Sequence, residues 1–446
     1  MTLKPNKNAS MQESNLISRR HLNCAILTSG VLTNSSQAKI KNAVNNQSIP
    51  PIQSWQPDTD SYIPFYPIGW YSFGPWARIQ ELYENGANCA LYAGLGLEDW
   101  QLGDTKAQMK IAQRLGMKIV LGLDSSVVGR VKANAPSTHQ PIINYVKAFK
   151  DHPALLGWQL GDEFAADAAP AINATASLLH SLGSKHQTWQ VHPHTWSHRD
   201  VITLMKNTDV CTFDGYTYLE GHSEFSPTAA ARVLAWQQGK TSLIRKMRWA
   251  GNINVTQAVG CQCGAAKFRF PTLREYRWNV FSAISTTGAR GTMNWIYSYF
   301  GGFYRDEEER FFEFRDNVVR PVNLEQQRIA LAMSTGYDIG TVSSNGDIAT
   351  SIDIPPATGP YDRYNKVGRI LLFDSQKRRY FLIVTNNEAT RFDVKIRLAD
   401  LPRKIRSLRV TDRYRCKSLQ LENVKRGVYK LQDRLNGYDV AIYEFR

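Results

Sequence analysis

A rhythm limits how this chain can fold more than any other feature. Eight short apolar runs, at 65–73, 88–93, 118–123, 155–162, 188–192, 210–216, 254–261 and 291–295, alternate with amphipathic stretches. Those stretches, such as 104–115 and 272–285, place apolar residues at helical spacing. Strand and helix in alternation point to a parallel sheet, since each helix carries the chain back to the starting edge. Eight such units in about 280 residues is the size of a (β/α)8 TIM barrel. The rival, an open doubly wound sheet, would usually carry a Gly-rich phosphate turn after its first strand, and none occurs here.

The rhythm stops near residue 340. Beyond it, 369–373, 379–384, 392–396 and 440–443 read as strands, separated by turn-like Asn386-Asn387 and Asn436-Gly437. No long helical stretch intervenes, so an antiparallel β-sandwich is expected. The expected organisation is a leader at 1–38, a linker at 39–60 with Pro50-Pro51, a barrel at 61–340 and a sandwich at 341–446. Residues 1–38 place Arg19-Arg20 before a short, weakly apolar stretch and close on Ser36-Gln37-Ala38. That order resembles a twin-arginine export signal and implies a periplasmic or secreted protein. No apolar run is long enough for a membrane span. Cleavage after Ala38 would remove Cys24 and leave five cysteines, an odd number that does not suit a fully paired disulfide framework.

The formal charge is +15, which first suggests nucleic acid. Its distribution does not support that idea. Residues 361–446 hold 21 Lys+Arg against 10 Asp+Glu, a net +11. The leader carries +3, leaving +1 for residues 39–360. The basicity therefore belongs to the sandwich, and no nucleic-acid-binding motif accompanies it. It suits either ordinary sandwich surface or docking to an anionic glycan or envelope surface.

In a parallel barrel the working residues project from the C-terminal ends of the strands. The fourth run ends Gly157-Trp158-Gln159-Leu160-Gly161-Asp162-Glu163. Two adjacent carboxylates closing an apolar strand are costly unless a site uses them. Glu163 is the candidate general acid, and Asp162 orients it or binds a substrate hydroxyl. The sixth run adds Asp214, a candidate partner, and Tyr216. Trp70 and Tyr71 close the first run, His192 the fifth and Trp295 the eighth. Carboxylates, histidine and aromatic faces are the mix a carbohydrate site needs, because aromatics stack on apolar sugar faces while polar groups bind hydroxyls. His192 and His194 have no evident third ligand, so no metal and no cofactor is expected. Cys261-Gln262-Cys263 lacks CxxC spacing and reads as small strand residues.

The stretch from Leu155 to Glu163 resembles strand four of clan A glycoside hydrolases, where an Asn-Glu or Asp-Glu pair supplies the acid/base. Residues 270–276 and 283–295, ending on Trp295, resemble the seventh helix and eighth strand of that clan. The resemblance implies hydrolysis of O-glycosidic bonds in a poly- or oligosaccharide. One departure stands out: clan A enzymes of the retaining type carry a nucleophilic Glu at the end of strand seven. Here no Asp or Glu occurs from Ala250 to Arg274, and Gln257 and Gln262 offer only amides. An amide lacks the charge of a carboxylate and forms no stable glycosyl ester. Three readings remain. Asp214 serves as base in an inverting reaction, with carboxyls roughly 6.5–9.5 Å apart, or Asp214 or another carboxylate serves as nucleophile at roughly 5–5.5 Å. In the third the barrel is catalytically inactive and binds carbohydrate, with Gln257 as a hydrogen-bonding partner.

Overall fold

A computed structural model describes residues 49–446 apart from internal segments, the longest being 124–135, 219–233, 235–242, 298–307, 339–350 and 353–366. The expected leader at 1–38 lies outside the described residues, as do His194 and Cys261.

Eight parallel strands close into a barrel. They are β1 (Ile68–Phe73), β2 (Cys89–Ala93), β3 (Lys118–Gly122), β4 (Leu155–Asp162), β5 (Gln187–Pro193), β6 (Val210–Asp214), β7 (Ala250–Gln257) and β8 (Thr292–Trp295). β8 pairs with both β7 and β1, which closes the ring. The described helices around it are α1 (Ile79–Glu84), α2 (Asp99–Leu115), α3 (Pro136–Phe149), α4 (Ala169–Ser181), α5 (His198–Leu204), α6 (Leu273–Ser282), α7 (Glu308–Phe314) and α8 (Arg320–Thr335). Strands such as β2 are buried at every position because one face meets the barrel interior and the other meets helices. That double burial produces the uniform apolar runs. β7 sits four residues earlier than its run suggested, ending at Gln257.

Ile52–Gln56, expected within the linker, is a strand, paired antiparallel with Ser61–Phe65. Ile52, Ser54 and Trp55 are buried, and Lys185 lies over the Trp55 ring. The Gln53 amide donates to Gln187 Oε1, tying this hairpin to β5.

The C-terminal part has two antiparallel sheets. Its strands are β9 (Val367–Asp374), β10 (Arg379–Asn386), β11 (Phe392–Leu398), β12 (Arg409–Asp412), β13 (Lys417–Gln420), β14 (Glu422–Lys425), β15 (Val428–Leu435) and β16 (Val440–Phe445). One sheet runs Tyr337–Asp338, β9, β10, β16, β12, β13, and the other Ser351–Ile352, β11, β15, β14. Leu371, Leu382, Val384, Leu398, Leu431 and Tyr443 form the core between them. Alternate residues of the first sheet, Ile370, Leu372, Phe381, Ile383 and Ile442, instead join the barrel's core. The β domain is therefore laid on the barrel by one face of β9, β10 and β16. Helix α6 lies at this junction, and every residue from Glu275 to Ser282 is buried.

Candidate active site

The site stands at the C-terminal ends of β4, β6 and β8. Successive strand residues point to opposite faces, so a carboxylate pair at 162 and 163 would ordinarily split between them. Two local departures prevent this. A register shift between Gln159 and Gly161 against β5 changes the parity of β4. Gln159 and Asp162, three apart, then both reach Tyr71: Gln159 Nε2 donates to the Tyr71 hydroxyl at 2.6 Å, and that hydroxyl donates to Asp162 Oδ2 at 2.6 Å. The second departure is at Glu163, whose φ of 51° lies in the left-handed region. This conformation costs a side-chain-bearing residue about 1–2 kcal/mol. It swings Glu163 out of strand alternation while its N–H stays bonded to Val191 O at 3.1 Å.

Glu163 thereby acts on Asp214 of β6 through its charge. Asp214 is 6% exposed, whereas Glu163 is exposed. Burial, followed by the charge of Glu163, pushes the Asp214 carboxyl well above the usual carboxylate range, so Asp214 is the proton-bearing member of the pair. Its Oδ1 is buried and has no hydrogen-bond partner among the described residues. Asp162 completes a three-carboxyl cluster. Burial raises it to about 6, opposed by the Tyr71 hydrogen bond and assisted by the charge of Glu163.

The aromatic edge of the site is Tyr216 and Trp295, both half-buried and stacked with centroids 4.8 Å apart. The Tyr216 hydroxyl donates to Asp214 Oδ2 at 3.3 Å. The structure therefore gathers Tyr71, Asp162, Glu163, Asp214, Tyr216 and Trp295.

Three residues expected at the substrate surface lie elsewhere. Trp70 is fully buried, edge-on to Tyr297 and Phe311, because the neighbour of inward-facing Tyr71 must face outward. His192 is fully buried between Phe213 and Trp196. Phe213 belongs to the outer cluster with Val201 and Met205, on the face opposite Asp214. Gln257 does close β7, yet its side chain is given to backbone. Its Oε1 accepts from Tyr218 N at 2.9 Å, while Nε2 donates to Tyr218 O and Arg269 O, each at 3.0 Å. It braces the chain following β6 against the chain following β7. Arg269 is held in turn by Glu275, the N3 residue of the α6 capping box.

Gln159 is a site residue that strand-end reading missed. Its signal was a polar side chain inside an apolar run, 3% exposed and therefore in need of a partner. Among the described residues, its Oε1 and the neighbouring Trp189 Nε1 have no partner, so the barrel interior here retains polar capacity. Among the described residues no group of three or more His, Cys, Asp or Glu is arranged to hold a metal ion.

No family model matches the chain, and no curated protein does. Solved structures do. A family 51 α-L-arabinofuranosidase from Bifidobacterium longum superposes with a TM-score of 0.52 at 13% identity, over 89% of this chain and 97% of the other. A second structure, described as a glycoside hydrolase, gives 0.50 at 12% identity over 86% and 92%. At such identity the likeness is one of fold. The chain is thus similar in fold, over most of its length, to these two glycoside hydrolase structures.

Proposed function

We propose that this protein is an exported glycoside hydrolase that cleaves O-glycosidic bonds of a poly- or oligosaccharide. The observation that carries the reading is the gathering of exposed Glu163, Tyr71-bound Asp162 and buried Asp214 at the barrel mouth, beside the Tyr216–Trp295 stack. Asp214, buried and proton-bearing, is the reservoir. Glu163, exposed at the mouth, delivers the proton to the leaving oxygen. Asp162 binds or orients the sugar, and the stacked rings offer it an apolar face.

The basic β domain is proposed to hold the enzyme near anionic glycan, since the charge excess is concentrated there. Weak, salt-dependent retention of the full chain on uronate or sulfated polymers, lost when Lys377, Arg378 and Arg403 become Ser, would support that role.

A second reading, a carbohydrate-binding barrel without turnover, draws on Gln257, where a retaining clan A enzyme would place its nucleophile. Release of new reducing ends from a glycan panel separates the two. Hydrolysis by the wild type and its loss in Glu163→Gln, with unchanged circular dichroism, supports the enzyme. Saturable binding without reducing ends after long incubation supports the binder.

A further inference from the structure

We infer that Tyr71, steadied by Gln159, is a positioning residue: it keeps Asp162 as the anion of the cleft, so that the proton of the carboxyl cluster is carried by Asp214. The inference rests on the glycosidase reading above and assigns the charge states which that reading needs.

Three carboxyls at one barrel mouth are costly to ionise together, because like charges in a partly buried site disfavour one another. Something must decide which of them keeps a proton. Among the described residues, the titratable groups that face Asp162 are Tyr71 from β1, its neighbour Glu163, and Asp214 and Tyr216 from β6 and the chain beyond it. Each is neutral or negative, so hydrogen bonds make the choice. His192 of β5 turns away, between Phe213 and Trp196.

The hydrogen bonds are unequal. Tyr71 donates to Asp162 Oδ2 at 2.6 Å, a length typical of a hydroxyl on a charged oxygen. Tyr216 donates to Asp214 Oδ2 at 3.3 Å, beyond the usual range for two oxygens. Asp214 Oδ1 is buried with no partner among the described residues. A donor aimed at a carboxylate favours its ionised form, and a buried oxygen without a donor disfavours it. Asp162 therefore keeps the charge and Asp214 the proton.

Gln159 fixes the direction of the Tyr71 bond. A phenol hydroxyl can donate or accept. Gln159 Nε2 donates to it at 2.6 Å, which occupies its oxygen and leaves its one proton for Asp162. Tyr71 is 1% exposed and Gln159 3%, so water has little access to either. The register shift in β4 puts Gln159 and Asp162 within reach of one hydroxyl, so the clasp aims Asp162 as well as charging it. Burial lifts the Asp162 carboxyl to about 6, and the Tyr71 bond works against that lift. Without the hydroxyl, burial acts unopposed. In the reaction, a fixed anion beside the donor offsets the positive charge that gathers on the sugar ring as the leaving oxygen departs.

The test compares urea midpoints of the full chain with and without Asp162→Asn, from about pH 4 to about pH 9. In the wild-type background the gain from Asp162→Asn should level off at about pH 6, once folded Asp162 is ionised. Tyr71→Phe should raise that levelling point by about one pH unit or more, Gln159→Leu by about half a unit, and Tyr216→Phe by less than about 0.3. Gln159→Leu keeps the Tyr71 ring and decides the question if Tyr71→Phe does not fold. On a hydrolysed glycan, the acid limb of kcat/KM should rise together with the levelling point. A levelling point that stays in place in the folded variants, or that Tyr216→Phe moves as far, overturns the inference and leaves the glycosidase reading standing. An acid limb that stays while the levelling point moves overturns it too. The stability titration needs no turnover: shifted levelling points without hydrolysis of any glycan support the charge assignment and end the glycosidase reading alone.

Discussion

Glu325→Ala should be among the most damaging single changes outside the cleft. Glu325 on α8 accepts from Arg277 Nε and Nη2 on α6, both at 2.7 Å, and the two side chains are 9% and 4% exposed. Arg277 also donates to Val440 O of β16 at 3.0 Å and lies 3.6 Å from the Tyr414 ring centre. Removing Glu325 strands a guanidinium that keeps one carbonyl and the faces of the Tyr414 and Phe281 rings and has little access to water. Breaking a buried pair from one side typically costs about 3–5 kcal/mol, and the bidentate geometry argues for about 4 kcal/mol here. Replacing both partners with apolar residues leaves no buried charge. Arg277→Met with Glu325→Leu should therefore recover most of that loss, to within about 1–2 kcal/mol of wild type, the remainder reflecting lost contacts to Val440 and Tyr414. Urea denaturation followed by tryptophan fluorescence and by circular dichroism measures both. The two probes should coincide, because Ile370, Leu372 and Ile383 of the β domain sit in the barrel's core. The reasoning is refuted if Glu325→Ala costs less than about 1 kcal/mol, or if the double variant is no more stable than the single one.

Other outcomes follow from the cleft. Asp214→Asn should keep the fold yet lower kcat by about 100-fold or more on a poor leaving group, since an amide has no proton to lend; activity rescued toward a 4-nitrophenol leaving group would locate the loss in proton donation. Asp162 has its folded pKa raised to about 6, above its unfolded value, so its contribution to stability is present in full below about pH 4 and is lost as pH climbs through 6. Asp162→Asn should then gain up to about 3 kcal/mol over wild type at pH 8 and nothing at pH 4, read from urea midpoints. Gly161→Ala would press a methyl group on the Phe164 ring and the Gln190 side chain beside the active loop. A cost of about 1–3 kcal/mol is expected by thermal melting, together with weakened activity as Glu163 shifts.

The fold was legible for a reason visible in β2 and β10. β2 is buried along its whole length and β10 at every position after Arg379, because each is covered on two sides, by interior and helices in one case and by two cores in the other. A strand of that kind writes itself into the sequence as a plain apolar run. Strand faces were less legible. Trp70 and Tyr71 look equivalent in the sequence, and parity alone sends one outward to Phe311 and the other inward to Asp162. His192 and Phe213 went outward by the same rule, which a strand-end reading ignores. Gln257 was unreadable for a different reason. What it binds is the backbone of Tyr218 and Arg269, and a backbone partner leaves no trace in residue identity.

The carboxyl cluster depends on backbone as much as on side chains. With regular β4 pairing, Gln159 and Asp162 would fall on opposite faces, and Tyr71 could bond only one of them. With Glu163 in an extended conformation, its carboxyl would leave the cleft and Asp214 would be a buried acid without a partner charge. The shift at Gln159–Gly161 and the left-handed Glu163 remove both problems within five residues. A surrounding fold keeps such departures only where it over-determines them, here through the Glu163 N–H bond to Val191 and the Tyr71 clasp on Asp162. Glu163→Gly tests this directly. It relieves the left-handed conformation and removes a carboxyl, so the chain should stay as stable as wild type or gain up to about 1 kcal/mol while losing activity. A clear loss of stability in Glu163→Gly would mean that contacts of the Glu163 side chain outweigh the backbone strain, and that side chain would then have to be counted among the elements that hold the barrel mouth together.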